Sequence, residues 1–214
     1  MSSIFNIDCR LCPRLATHLD KVKAEHADYH ARPVAPFGDN DPQLLIIGLA
    51  PGMHGANRTG RPFTGDYAGI LLYETLYEYG FSTQPISEHT QDGLKLIDCR
   101  ITNAVKCLPP ENKPEGSEII TCNQYLTNEL AAYPRLKVVL ALGSIAHLAV
   151  LRAVNLKRKE FPFGHGNQHM LPDGIMLIDS YHCSRYNTQT RRLTPEMFKA
   201  VFAEIRVYLD QKNI

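Results

Sequence analysis

Short apolar segments alternate with helical segments along most of this chain, and this alternation restricts the fold more than any other feature. The strands are predicted at residues 43–48, 100–105, 137–142 and 174–179. Helices are predicted at 9–25, 67–79, 117–133, 144–154 and 195–211, with Ser117 and Thr194 as caps of the third and fifth. Since strongly apolar strands such as 43–48 are typical of parallel sheets, we expect an α/β fold with helices on both faces of the sheet.

The composition is that of one ordered domain. Of its 214 residues 44% are hydrophobic, enough for one substantial core, so residues 1–214 are expected to form a single domain. The 23 Lys and Arg nearly balance the 22 Asp and Glu, so a surface for nucleic acid must be a local patch. No apolar stretch approaches the roughly 20 residues that span a bilayer, and the N-terminus lacks the pattern of a signal peptide. We therefore expect a cytoplasmic protein without a membrane partner.

Polar and conformationally special residues follow each predicted strand. Ligands of parallel α/β sheets bind beyond the carboxyl ends of the strands, so the loops that begin at Leu49, near Asn103, at Gly143 and at Ser180 are expected to meet. The loop 48–69 has neither the Gly-Lys-Ser/Thr end of a phosphate loop nor a dinucleotide fingerprint. Its glycines allow a ligand to approach the backbone, and Phe63 can either stack on a planar ring or bury itself in the core.

The loop after the fourth predicted strand has a composition suited to anions. His182 can donate a hydrogen bond to a developing negative charge, although a loop histidine with satisfied bonds is the simpler alternative. Side chains that can hold a nucleic-acid backbone follow it: Ser184, Arg185, Asn187, Thr188, Gln189 and Arg191.

The cysteines form one possible set of metal ligands. Cys9 and Cys12 make a C-x-x-C pair, and Cys107 and Cys122 frame a proline-rich segment. Together they are a complete four-thiolate set for tetrahedral zinc or for a 4Fe-4S cluster, and the spacing does not choose between the two. We expect such a site to be structural, because it would order the proline-rich segment. The other two, Cys99 and Cys183, are expected to be small buried hydrophobic residues.

Three segments together resemble one enzyme family. They are Gly48-Leu-Ala-Pro-Gly52 followed by the run from Asn57 to Asp66, then Ile101-Thr-Asn-Ala-Val-Lys-Cys107, then Ser180-Tyr-His-Cys-Ser-Arg185. In this order they resemble the uracil-DNA glycosylase superfamily, and the cysteines resemble those of its iron-sulfur branches, families 4 and 5. The run from Asn57 to Asp66 is most similar to family 5. The resemblance covers nearly the whole chain.

The resemblance implies a fold, a cofactor and an activity. The fold is a three-layer α/β/α sandwich around a four-stranded parallel sheet. The cofactor is a 4Fe-4S cluster held by Cys9, Cys12, Cys107 and Cys122. The activity is removal of uracil from DNA by hydrolysis of its N-glycosidic bond, with deaminated purines as further substrates. The protein is expected to act as a monomer.

The resemblance also implies roles for single residues. Phe63 stacks on the flipped base, Asn103 binds its Watson-Crick edge, and His182 stabilises the departing base. The backbone of Gly48, Ala50, Pro51 and Gly52 forms part of the base pocket. Leu49 stands where family 4 has an acidic residue that acts on water, and Cys183 stands where the second motif usually has proline.

Because Leu49 has no charge, Asp66 is the nearest carboxylate in the first motif that can act on water. It can orient water or support a cationic sugar, or it can simply cap the helix that begins at Tyr67.

Two other classes of protein fit parts of the sequence. A non-catalytic DNA-binding protein with a metal cluster would hold phosphates on the same arginine-rich loop without excising a base. A metal-assisted hydrolase could use His165, His169 and His182, but no paired Asp or Glu accompanies them at ligand spacing.

Overall fold

The computed structural model describes residues 4–211 and contains one mixed sheet. Its strands are β1 (Phe37–Gly38), β2 (Leu44–Gly48), β3 (Cys99–Asn103), β4 (Val138–Leu142), β5 (Gln168–Met170) and β6 (Met176–Ser180). The spatial order is β1-β3-β2-β4-β6-β5. The predicted four parallel strands are confirmed as β3, β2, β4 and β6.

Two short antiparallel strands extend the sheet to six strands, which the sequence did not predict. Strand β1 has two residues and β5 has three, and such lengths carry too little of a period-two pattern to be recognised. Because both lie at the edges, they leave the central parallel strands and their carboxyl ends unchanged.

Helices cover both faces of the sheet, which confirms the predicted sandwich. They are α1 (Pro13–Glu25), α2 (Ala56–Thr59), α3 (Tyr67–Glu78), α4 (Gly116–Ala132), α5 (Ser144–Ala153), α6 (Arg185–Gln189) and α7 (Pro195–Gln211). On one face, Leu72 and Leu76 of α3 share a buried cluster with Phe198 and Phe202 of α7. On the other face, α4 and α5 pack together over the alternate strand residues. The strands are apolar on both sides for this reason.

Two helix starts differ from their prediction. Helix α1 begins at Pro13 rather than at residue 9, because proline fits the first turn of a helix. Helix α4 begins at Gly116, and its cap is Glu115, which forms a reciprocal capping box with Glu118, rather than Ser117. The predicted cap of α7 holds, since Thr194 Oγ1 accepts a hydrogen bond from Met197 N at 3.2 Å.

The topology brings the four long strand ends to one edge. Strands β2, β3, β4 and β6 run in the same direction, and strand order reverses between β2 and β4. A crevice therefore forms above the carboxyl ends at this switch point. Within residues 4–211, none of the helices combines the length and the apolar character that crossing a bilayer requires.

Candidate active site

A cavity of about 500 Å³ opens above the carboxyl ends of the parallel strands. It is lined by residues that follow β2, β3, β4 and β6 and by the first turn of α3. Eight of the predicted site residues line it: Ala50, Gly52, Phe63, Asp66, Asn103, His182, Ser184 and Arg185. The expectation that the loops after the four strands meet at one site is therefore confirmed.

Phe63 forms one wall of the cavity from an unusual backbone conformation. Its φ of 53° lies in the left-handed region, which bulky side chains rarely adopt. The surrounding structure holds it there: Tyr73 Oη donates to the carbonyl of Pro62 at 2.8 Å. Gly69 allows the first turn of α3 to pack on this loop, since a Cβ at Gly69 would lie 1.8 Å from the Phe63 carbonyl oxygen. Phe63 is thus part of the core and also lines the cavity, and stacking of its ring on a ligand stays a prediction.

A buried ion pair holds the same loop from below. The Arg61 guanidinium, which is 3% exposed, donates from Nη1 to Asp92 Oδ1 at 2.9 Å and from Nη2 to Ser87 Oγ at 2.7 Å. Burial raises the pKa of Asp92, but the bonds from Arg61 and from backbone N–H groups outweigh it and leave that pKa well below its usual range. Arg61 therefore fixes the backbone before Phe63, and its charge does not face the cavity.

Asn103 forms the floor of the cavity, and Gly48 is buried beside it. They are paired residues at the ends of β2 and β3. A Cβ at Gly48 would lie 2.4 Å from Asn103 Oδ1 and 2.7 Å from Phe63 Cζ, so only glycine leaves room for both side chains. The amide of Asn103 is buried and forms no hydrogen bond with other residues in 4–211, which leaves it free for a ligand. Like Gly48, Pro51 is buried and does not line the cavity.

His182 lies next to Phe63 in the lining of the cavity. Their ring centroids are 5.7 Å apart, with an angle of 26° between the planes. Its imidazole forms no hydrogen bond within the described part of the chain, and desolvation lowers its pKa to about 4. His182 is therefore neutral at pH 7, and its ring has hydrogen-bonding capacity free for a ligand.

Asp66 both caps α3 and lines the cavity. Its Oδ1 accepts a hydrogen bond from Gly69 N at 2.9 Å. The carboxyl group lies against Gly55, where a Cβ would be 2.5 Å from Oδ2. Burial raises the pKa of Asp66, and hydrogen bonds from Gly69 and Ala68 offset part of this effect. Of the described residues that line the cavity, Asp66 alone carries a carboxylate, because Leu49 occupies the other candidate position.

The loop after β6 divides the six predicted DNA-binding residues into two groups. Ser184 caps α6, Thr188 Oγ1 donates to the Ser184 carbonyl at 3.2 Å, and Asn187 Nδ2 donates to the His182 carbonyl at 2.8 Å. These three side chains stabilise the loop itself. The other three, Arg185, Gln189 and Arg191, are exposed.

Several residues at the cavity were not predicted. Tyr186 stands at the exposed tip of the same loop with 70% of its surface accessible. Tyr67 lines the cavity and lies under Arg185, whose Cζ is 5.8 Å from the ring centroid. Ser144 and Asn112 line the opposite wall. Their identities carry no motif, and only the position of an aromatic residue between Arg185 and Asn187 could have indicated Tyr186.

The four candidate ligand cysteines line a second, smaller pocket between α1 and α4. Burial, and then the neighbouring Cys122, Cys9 and Cys12, raise the pKa of Cys107. The structure thus brings the predicted set together, although no three His, Cys, Asp or Glu side chains within residues 4–211 already form a metal-binding group. Four clustered thiols, one buried and three partly buried, repel one another as thiolates and fit a soft, positively charged metal centre such as iron or zinc. Cys99 and Cys183 are buried elsewhere in the core, as expected.

Two ion pairs, one partly exposed and one fully buried, lie beside this cysteine pocket. Arg14 of α1 donates from Nε to Glu118 Oε1 of α4 at 2.8 Å. Lys106 is buried, donates to Thr102 Oγ1, and pairs with Glu129 of α4. The backbone N–H of Lys106 also donates to Cys122 Sγ at 3.3 Å. The end of β3 is therefore bound to the helix that carries Cys122.

The histidines of the rival hydrolase do not converge. His165 Nδ1 accepts from Tyr181 N at 3.2 Å, whereas His169 Nε2 contacts the Pro162 carbonyl at 3.0 Å. Neither lines the cavity that holds His182. A buried pair of His147 and Asp179, 2.7 Å apart, instead holds the segment before β5 against the sheet.

Fold and site together define a class of protein: an α/β/α sandwich with a cavity at the carboxyl edge of its sheet and a separate cluster of four thiols. Comparison with known proteins identifies the family. The model of the Uracil DNA glycosylase superfamily matches residues 35–206. A type-5 uracil-DNA glycosylase of Thermus thermophilus is 46% identical over 203 residues, which are 92% of this chain and 92% of that protein.

A type-4 uracil-DNA glycosylase of Saccharolobus solfataricus is 31% identical, over 77% of this chain and 72% of that protein. A solved structure described as Pedobacter heparinus SMUG2 aligns with a TM-score of 0.48 and 14% identity, over 92% of this chain and 83% of that one. The chain belongs to the uracil DNA glycosylase superfamily, and the greater identity to the type-5 relative places it in the type-5 branch.

Proposed function

We propose that this protein is a DNA-repair glycosylase that hydrolyses the N-glycosidic bond of uracil in DNA and leaves an abasic site. The observation that carries the proposal is that Phe63, Asn103 and His182 together line one cavity of about 500 Å³. An enzyme that acts on a base inside a duplex must first flip the nucleotide out, which costs a few kcal/mol. Stacking of the base on Phe63 offsets part of that cost.

Asn103 supplies selectivity in this proposal. Its free amide can donate to O4 of uracil and accept from N3–H, whereas cytosine presents the reverse pattern at these positions. A buried amide left unpaired by the wrong base costs about 1–3 kcal/mol, so cytosine is rejected. Deaminated purines that present a comparable carbonyl and N–H edge, such as hypoxanthine and xanthine, are proposed as further substrates.

His182 stabilises the leaving group. Cleavage develops negative charge on the base and positive charge on the sugar. A neutral imidazole with a free N–H can donate a hydrogen bond to the anionic base oxygen without the cost of keeping a buried cation. Exposed Arg185, Gln189 and Arg191 are placed to contact phosphates, and Tyr186 to fill the space that the flipped base leaves in the duplex.

We further propose that Cys9, Cys12, Cys107 and Cys122 hold a 4Fe-4S cluster. Bound there, the cluster would supply structural cross-links between the N-terminal segment and α4. The protein is proposed to act as a monomer in the cytoplasm on DNA that contains uracil.

Incubation with uracil-containing oligonucleotides tests the activity. Duplex and single-stranded probes carrying uracil, hypoxanthine, xanthine or cytosine are treated with alkali and separated by size. We expect cleavage at uracil and none at cytosine. DNA binding without abasic sites from any of these bases would favour the non-catalytic alternative and overturn the proposal.

Asp66→Asn tests whether the carboxylate acts on water or on the sugar cation. Asparagine caps helices about as well as aspartate, so this variant removes the charge and keeps the cap. We expect its single-turnover rate to fall at least about tenfold with an unchanged unfolding temperature. We also expect the wild-type rate to fall with decreasing pH as Asp66, whose pKa is raised, becomes protonated, and the variant to lose this dependence. If Asp66→Asn excises uracil at the wild-type rate, Asp66 acts only as a helix cap.

Gly48→Ala tests the shape of the floor. The added Cβ overlaps Asn103 Oδ1 and Phe63 Cζ, so at least one of them must move, at a cost of about 1–3 kcal/mol. We expect a folded protein with a strongly reduced uracil excision rate. Gly116→Ala is the matched control, because its Cβ would meet no atom within 4 Å. Equal excision rates in the two variants would show that the floor tolerates the methyl group.

A further inference from the structure

A second groove leads away from the base cavity along the outer side of α5. It encloses about 580 Å³ between the first turn of α4 and the segment after α5. Ile145 lines both the base cavity and this groove, so the two adjoin at this residue. Its floor is aliphatic, with Ile119, Leu148 and Leu151, and Ile120 stands 53% exposed at its rim.

The far end of the groove carries a cluster of cations. Arg152, Lys157 and Arg158 line it, and Lys159 is next to them in sequence. All four are exposed, and their side chains form no hydrogen bond or ion pair with any other residue in 4–211. Only Glu160 brings an acidic group to this segment.

This concentration is unusual for the molecule. Its net charge is +1, and many basic residues elsewhere are paired with carboxylates: Arg10, Arg14, Arg32, Arg61, Lys106, Arg135, Lys199 and Arg206. A nearly neutral protein that binds a polyanion must do so through local patches. The cations at the end of the groove are such a patch, separate from the arginines of the loop after β6.

The spacing fits a DNA strand. Arg152 follows Ile145 by seven residues on α5, which is about 10 Å at 1.5 Å per residue. Each strand of a duplex has one phosphate per about 3.4 Å of helix axis, so a strand that leaves the cavity over Ile145 reaches the cations within about three nucleotides. We propose that the groove binds the DNA strand that continues from the flipped nucleotide, with its phosphates on Arg152, Lys157 and Arg158. This inference rests on the proposed function, since it takes DNA as the ligand of the base cavity.

Salt-dependent binding of undamaged DNA tests the groove without requiring excision. Fluorescently labelled single-stranded and duplex oligonucleotides, without uracil, are titrated with wild type and with the double variant Lys157→Ala/Arg158→Ala at several KCl concentrations. Each lost phosphate contact lowers the slope of log affinity against log salt concentration by about 0.7–0.9. We expect the slope to fall by about 1.4–1.8 and the affinity at low salt to drop about tenfold or more.

The matched control is Lys21→Ala/Lys95→Ala, which removes the same charge at two exposed positions outside the groove. Its slope should remain that of wild type. Equal slopes for both double variants would overturn DNA binding by the groove and leave the proposed function untouched. The opposite outcome is also distinguishable. If the wild type excises no uracil but Lys157→Ala/Arg158→Ala still lowers the salt slope of DNA binding, the proposed function is overturned and DNA binding by the groove is retained. Uracil placed at either end of a probe then shows which flanking strand the groove holds, because only one end should be sensitive to the variant.

Discussion

His182→Ala is expected to lower the single-turnover rate of uracil excision by about 10²–10³-fold, the effect of removing one donor to a developing anion. The ring is free of hydrogen bonds within the described residues, so its loss leaves no partner unsatisfied, and the fold should be retained. Because desolvation lowers the pKa of His182 from 6.5 to about 4, the wild-type rate should not follow a histidine titration near neutral pH.

His89→Ala is the control, because His89 is exposed and does not line the cavity, and it should keep the wild-type rate. Circular dichroism of both variants checks that any loss is chemical. If His182→Ala kept nearly full activity, the departing base would have to be stabilised by other groups, and His182 would be a wall of the cavity only.

Cys107→Ser is expected to remove visible absorbance from the purified protein and to lower its unfolding temperature sharply. Binding of a metal centre by four thiolates contributes directly to folding, commonly by several kcal/mol, and one missing thiolate loses much of it. The pocket joins the N-terminal segment to α4, so proteolysis should then begin near Cys9 and Cys12. Absorbance spectra, iron and zinc analysis and thermal unfolding measure the effect.

Cys99→Ala is the matched control, because this thiol is fully buried in β3 and lies outside the cysteine pocket. It should retain both colour and metal content, with a moderate loss of stability from the small cavity. Colourless wild-type protein with one zinc per chain would show that the four cysteines bind zinc and not an iron-sulfur cluster.

The sequence predicted the central sheet well because the strands are apolar on both faces and alternate with amphipathic helices. Ligands of parallel sheets bind beyond the carboxyl ends of the strands, and this rule predicted that the loops there meet. Phe63, Asn103 and His182 do line one cavity at these ends. Local pattern failed where the signal was short or unusual, as in the edge strands and in the carboxylate cap Glu115.

Long-range contacts were beyond the sequence. Arg61 could as easily have faced DNA, and its burial depends on Asp92, 31 residues further along. Ser144 follows the predicted loop at Gly143, whereas Asn112 reaches the cavity only through the packing of the segment before α4. The division of the loop after β6 into inward and outward side chains likewise depends on the bond from Asn187 to the His182 carbonyl.

The short connection between Asn103 and Cys107 has a consequence for how such a protein can change over generations. Within five residues the chain passes from the amide on the cavity floor, through buried Lys106 and its bond to α4, to a thiol of the cysteine pocket. Because the connection is this short, neither Asn103 nor Cys107 can change position without moving the other. On the proposed roles of Asn103 and Cys107, a variant selected for a new base preference at this strand is therefore expected to bind the proposed cluster less well, and a lineage that loses the cluster is expected to need changes in the floor of the cavity as well.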